Sequence, residues 1–251
     1  MKGIILAGGT GSRLYPLTKI TNKHLLPVGR YPMIYHAIFK LLKAGIRDIL
    51  IVTGKEHMGA VVNLLGSGRE FGGEFTFRVQ DEAGGIAQAL GLAEGFVGDD
   101  LMTVILGDNV FSDDIGSYVD KFKQQGHGAK ILIKEVPDPQ RYGVPELRDG
   151  RIISIEEKPS APKSSYAVTG IYMYDHRVFD IIKTLRPSHR GELEITDVNN
   201  AYLEAGQLTY DILSGWWTDA GTHLSYAKAN ELAKDLYFGE MFGVLKQHLP
   251  Q

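Results

Sequence analysis

The opening dozen residues restrict the fold more than any other feature of the sequence. Gly3-Ile4-Ile5-Leu6-Ala7 is apolar throughout and runs straight into Gly8-Gly9-Thr10-Gly11-Ser12-Arg13-Leu14. A short run with no polar position has no face to offer water, so it fits a strand covered on both sides by helices, as in a parallel sheet. Met102-Thr103-Val104-Ile105-Leu106 repeats the pattern and ends in Gly107-Asp108-Asn109. Between these runs the sequence predicts strands over 48–52 and 75–79 and helices over 61–65 and 86–96. Such alternation reads as βα units.

The first long helix has a visible start and stop. Pro32 suits a first helical position, Ile34, Ala37, Ile38, Leu41 and Leu42 share one face, and Gly45 follows as a C-terminal cap. From about residue 129 the rhythm changes. Strand patterns over 131–136, 152–156 and 166–174 come close together, with turns at Pro137-Asp138-Pro139 and Asp149-Gly150, which predicts a mixed-sheet addition. Helices over 222–236 and 238–248 are expected to close the chain. With no internal repeat and no long linker, the 251 residues are read as one domain. Within it we expect three successive parts, over about 1–115, about 116–225 and, as C-terminal helices, about 222–251.

Composition removes several function classes. There is no cysteine, hence no disulfide framework, thiolate metal site or cysteine nucleophile. The 27 basic and 30 acidic residues are interspersed, which argues against a nucleic-acid arm. The N-terminal apolar run is too short for a secretory signal and no stretch approaches a membrane span, so a cytoplasmic location with no membrane partner is expected.

A glycine loop directly after a first strand lets backbone N–H groups approach phosphate oxygens, and Arg13 adds a permanent forked charge. It is not a Walker A loop, for no Gly-Lys-Ser/Thr ending is present. Nor is it a dinucleotide fingerprint, because Leu14 stands where a third small residue is required. That speaks against a nicotinamide oxidoreductase. A glycine turn without a ligand remains the plain alternative.

The stretch from Leu6 to Leu14, followed by Lys23-His24-Leu25-Leu26-Pro27-Val28 and Pro32-Met33-Ile34-Tyr35, resembles the opening signature of the sugar nucleotidyltransferase family. The resemblance is greatest to its glucose-1-phosphate thymidylyltransferases. Further blocks follow in order: Leu106 to Asn109, Arg141 to Val144, Glu156 to Pro159, Ala167 to Tyr172, Gly191 to Asp197 and Trp217 to Asp219. The resemblance implies an α/β, three-layer Rossmann-like nucleotidyltransferase fold with a mixed, mainly parallel central sheet and a small additional β region. It further implies that a phosphate oxygen of glucose 1-phosphate attacks the α-phosphorus of dTTP in line, releasing pyrophosphate with the help of Mg2+. No side-chain nucleophile is then needed.

By the same resemblance Leu6, Gly8, Gly9, Thr10, Gly11 and Ser12 contact the nucleotide, Arg13 and Lys23 hold its phosphates, and Gln80 and Gly85 read the base. Asp108 and Asp219 hold the metal. Gly143, Glu157, Val168, Thr169 and Gly170 surround the sugar, and Lys158 takes its phosphate. Arg13, Lys23, Asp108, Lys158 and Asp219 are thus the expected catalytic set, and a homo-oligomer is expected. Three departures stand out. His24 replaces a usual glutamine, Ala83-Gly84 replaces a usual Pro-Asp pair and is expected to loosen the base loop, and the chain is expected to be a short form beside the many family members with a longer helical tail. The same chemistry with UTP or another sugar 1-phosphate, and a noncatalytic nucleotide-sugar binder, remain open alternatives.

Overall fold

The computed structural model describes residues 1–239. The first half comprises β1 (Lys2–Ala7), the two-residue β2 (Pro27–Val28) and β3 (Tyr31–Pro32), α1 (Met33–Lys43), β4 (Asp48–Gly54), α2 (Met58–Leu65), β5 (Glu74–Gln80), α3 (Ile86–Gly91), α4 (Glu94–Val97) and β6 (Met102–Leu106). The second comprises β7 (Asn109–Phe111), α5 (Gly116–Gln125), β8 (Ala129–Glu135), β9 (Gly143–Arg148), β10 (Arg151–Glu157), β11 (Tyr166–Tyr174), α6 (Val178–Thr184), α7 (Ile195–Glu204), β12 (Leu208–Ile212), β13 (Trp217–Asp219) and α8 (His223–Ala233).

The central sheet has 7 strands in the order β12-β8-β11-β6-β1-β4-β5. All run parallel except β11, which pairs antiparallel with both β6 and β8. The continuous apolar runs are explained by the two faces. Ile4, Leu6, Leu50, Val52 and Val104 point to a core built with α3, α6 and α7. Ile5, Ala7, Ile49, Ile51 and Ile105 point to the opposite core with α1, α2 and α5. Strand order reverses at β1, since β4 and β5 lie on one side of it and β6 on the other. The carboxyl ends of β1 and β6 therefore flank a switch-point crevice, where open α/β sheets bind ligands.

Local expectations mostly hold, with informative exceptions. Pro32 ends β3 and caps α1 from outside instead of being its first residue. Gly45 does terminate α1: at φ +78° it donates to Leu42 O at 3.0 Å while Ile46 N reaches Leu41 O at 3.0 Å, a Schellman closure. The single helix expected over 86–96 breaks after Gly91, where Leu92 N and Ala93 N bond Ala89 O and Leu90 O in a tighter turn. Asp149 and Gly150, both at positive φ, make the tight turn between β9 and β10. The last expected helix, over 238–248, falls on residues outside the described ones except for its first two positions. Among the described residues no helix is long and apolar enough to cross a membrane.

Two stability predictions follow from α1. A Cβ at Gly45 meets nothing within 4 Å, so Gly45→Ala isolates the backbone cost of a left-handed residue, about 1 kcal/mol in urea unfolding. On the buried face, His36 Nε2 donates to Val28 O at 3.0 Å and Nδ1 has no partner among the described residues. Burial, assisted by the charge of Lys40 and opposed by the Val28 bond, pushes its imidazole down to about 4. Below pH 6.5 the unfolded chain takes up a proton that the folded chain resists, so stability falls as pH drops towards 4. Relative to His36→Gln, the wild type should lose roughly 3 kcal/mol between pH 7 and pH 4 in denaturant titrations.

Candidate active site

A cleft of about 330 Å³ opens at the switch point. One wall is the β1 end and what packs on it: Leu6, Gly8, Gly9, Arg13, Lys23, Gln80, Gly85 and Asp108. The facing wall comes from β9, β10, β11 and β13: Gly143, Glu157, Lys158, Val168, Gly170 and Asp219. Residues chosen on separate sequence blocks thus converge on one space. Thr10, Gly11 and Ser12 do not line it. Gly11, at φ +69°, instead opens the short turn Ser12–Leu14 that carries Arg13. Thr169 also faces elsewhere, its hydroxyl donating to Leu132 O at 2.8 Å, because alternate residues of β11 point to opposite faces. The whole residue is buried and does not line the cleft.

The two aspartates meet through a small ribbon. Asp108 follows β6, and β7 then pairs antiparallel with β13, placing Asp219 opposite Asn109. A Cβ built on Gly221 would lie 3.1 Å from Asp219 Oδ2, 3.3 Å from Arg13 Nη2 and 3.6 Å from Asp108 Oδ2, so both carboxylates and the arginine border one point. Lys23 Nζ donates to Asp108 Oδ2 at 2.6 Å and Asn109 Nδ2 to Oδ1 at 3.0 Å. Burial alone would raise this carboxyl, but the Lys23 ammonium and these bonds outweigh it and hold it well below the usual carboxylate range. Asp219 is held by residues given no role from sequence. Arg141 Nη2 reaches its two oxygens at 3.0 and 3.1 Å, and Tyr142 OH donates to Oδ1 at 2.8 Å. Burial, reinforced by the Asp219 charge, raises the Tyr142 hydroxyl far above its ordinary range, so it remains a donor.

Lys158 directly follows β10 at φ +46°, a costly conformation for a residue with a Cβ, with its N–H on Tyr142 O at 2.9 Å. Glu157 accepts from Thr196 Oγ1 at 2.5 Å and lies 3.5 Å from Arg190 Nη1 and 3.7 Å from Lys158 Nζ. Arg190, Glu192, Glu194 and Thr196 complete this wall. Glu192, Glu194 and Thr196 lie in a block that carries the resemblance, but none of the four had a role assigned from sequence, because a charged run before a helix looks like any solvated helix start.

Two of the departures have structural answers. His24 is buried, and burial followed by the Lys23 charge pushes its imidazole down to about 3, so it is neutral at pH 7. Both its backbone N–H and Nδ1 bond Asn22 Oδ1, at 2.9 and 2.7 Å, which turns Nε2 into an acceptor. The Ala83-Gly84 loop is tied down rather than loosened. Gly84 O accepts from Leu193 N at 2.8 Å, Gly84 N bonds Gln88 Oε1 at 3.3 Å, and Gln80 Nε2 bonds the same Gln88 oxygen at 2.6 Å.

Comparison with known proteins agrees with this geometry. The nucleotidyl transferase family model matches residues 2–235. The glucose-1-phosphate thymidylyltransferase of Neisseria meningitidis serogroup A is 48% identical over 91% of this chain and 81% of its own length. That of Mycolicibacterium smegmatis is 43% identical over 94% of this chain and 83% of its own. A crystal structure from Bacillus anthracis in complex with a sucrose, provisionally assigned to the same activity, superposes with a TM-score of 0.93 at 68% identity, covering 96% of this chain and 98% of that one. A UDP-glucose pyrophosphorylase complexed with UDP-glucose superposes at 0.82 with 25% identity over 92% of this chain and 97% of its own. Cleft, sheet order and sequence agree, and the chain belongs to the nucleotidyl transferase family, among its glucose-1-phosphate thymidylyltransferases.

Proposed function

We propose that the protein transfers a deoxythymidylyl group from dTTP to glucose 1-phosphate, giving dTDP-glucose and pyrophosphate. The observation that carries this reading is the meeting of Asp108, Asp219, Arg13 and Lys23 at the switch point, opposite a second wall that offers Lys158 and Glu157. Two polyanions must be brought together and their repulsion offset, and no nucleophile on the protein is required. The nucleotide would lie along the β1 loop, with Arg13 and Lys23 on its phosphates and Gln80 and the Gly85 backbone towards the base. Lys158 would hold the sugar phosphate, and Glu157 with the backbones of Gly143, Val168 and Gly170 the hydroxyls. A phosphate oxygen of the sugar then forms a bond to the α-phosphorus as the bond to the β-phosphate breaks.

The residues present fit a magnesium ion. Asp108 Oδ2 and Asp219 Oδ2 both face the space beside Gly221, and two hard oxygen donors are what magnesium takes from protein when phosphates and water complete its shell. Among the described residues no group of three or more ligating side chains forms an all-protein cage, so this pair is the donor set we assign. Bound there, the ion would supply positive charge to the triphosphate and departing pyrophosphate. Lys23, Arg141, Tyr142 and Asn109 orient the two carboxylates. Because both substrates are phosphorylated and do not cross membranes unaided, we place the reaction in the cytoplasm. We also propose a homo-oligomer, on family resemblance alone.

The decisive assay is pyrophosphate release from a panel of nucleotides with glucose 1-phosphate. Fastest turnover with dTTP is expected, and a clear preference for UTP, CTP or ATP would overturn the assigned substrate. Chelation should abolish turnover and added Mg2+ restore it. Asp108→Asn, Asp219→Asn and Lys158→Ala should each lower turnover about a hundred- to a thousandfold, roughly 3 to 4 kcal/mol. Gly221→Ala puts a methyl among the charged groups without backbone strain. It should shift unfolding stability by under about 1 kcal/mol while raising the Mg2+ concentration needed for half-maximal rate.

A further inference from the structure

The segment that carries Glu157 and Lys158 is braced from behind. Ile155, two residues earlier on β10, faces Pro145 across the β9–β10 ladder, and a proline has no N–H to give. Both backbone groups of Ile155 turn the other way, to Asn200 on α7: Oδ1 accepts from Ile155 N at 3.2 Å and Nδ2 donates to Ile155 O at 2.9 Å. One amide thus stands in for a missing neighbouring strand. The ladder is irregular just before it, between Ile152 and Ser154. One helical turn earlier on α7, Thr196 holds the Glu157 carboxylate. Asn200 does not line the cleft.

We propose that Asn200 is a positioning residue for the sugar-phosphate wall. By fixing Ile155 it sets where Glu157 emerges, and it sustains the left-handed backbone of Lys158, which persists only when its surroundings over-determine it. The proposal rests on the reading that glucose 1-phosphate lies against Glu157 and Lys158. It differs from that reading in its consequence, because a brace on one wall acts on one substrate.

The test is steady-state kinetics of Asn200→Ala and Asn200→Asp beside a matched control, Asn230→Ala. Asn230 braces α8 in a similar way, accepting from Gly29 N at 3.0 Å and donating to Tyr226 O at 3.0 Å, and it does not line the cleft. Asn200→Ala should raise KM for glucose 1-phosphate about tenfold and leave KM for dTTP unchanged. Asn200→Asp, which keeps the acceptor for Ile155 N, should fall between, and Asn230→Ala should move neither constant. An unchanged sugar KM in Asn200→Ala, equal rises in both constants, or the same effect from Asn230→Ala would each overturn the proposal. Calorimetric binding of glucose 1-phosphate separates it from the functional reading. If the wild type bound the sugar phosphate without turnover, weaker binding by Asn200→Ala would still support the brace. A wild type that bound none would overturn both.

Discussion

The structure depends on holding Asp108 and Asp219 together in a partly buried cleft. Two carboxylates placed side by side out of bulk water repel and lose solvation, and the fold must offset both costs. It does so with a cation on each, Lys23 on Asp108 and Arg141 on Asp219, and with neutral donors, Asn109 and Tyr142, fixing the outer oxygens. The glycine at 221 keeps the intervening space clear. Every other feature of the site is arranged around that point.

The sheet explains why such an arrangement is affordable in shape. The carboxyl ends of the parallel strands meet at the reversal of strand order, where loops from β1 and β6 lie side by side and charged groups need not be buried within the layer. The antiparallel β11 and the β9–β10 hairpin then build the second wall on the same edge. Leu193 ties that wall to the base side, accepting from Ala87 N and donating to Gly84 O. The cleft is therefore bounded by segments that hold one another.

Much of this was legible locally. The covered strands announced themselves because residues with no solvent face must be apolar at every position, and Gly45 announced a helix end because few other residues adopt its backbone conformation. The block Gly107-Asp108-Asn109 pointed to the right strand end. By contrast β7 and β13 have three residues each, too short for any periodicity, and their pairing is what joins the aspartates. Arg141 and Tyr142 stood in a block that carries the resemblance but had no assigned role. Their role is a relation to Asp219, and nothing near them in sequence contains it.

By itself the sequence determined covered strands alternating with helices and a glycine loop after the first strand, while the three-layer fold and the identity of most groups bordering the cleft followed from its resemblance to the sugar nucleotidyltransferases. Local stereochemistry and burial act on neighbouring residues, so they leave a local trace. The tertiary structure alone decided that Thr169 turns away, that His24 is neutral, that Arg141 and Tyr142 clasp Asp219, and that Asn200 backs the Glu157–Lys158 wall. Those outcomes are set by distances and desolvation between segments remote in the chain, which exist only once the sheet has brought them into contact.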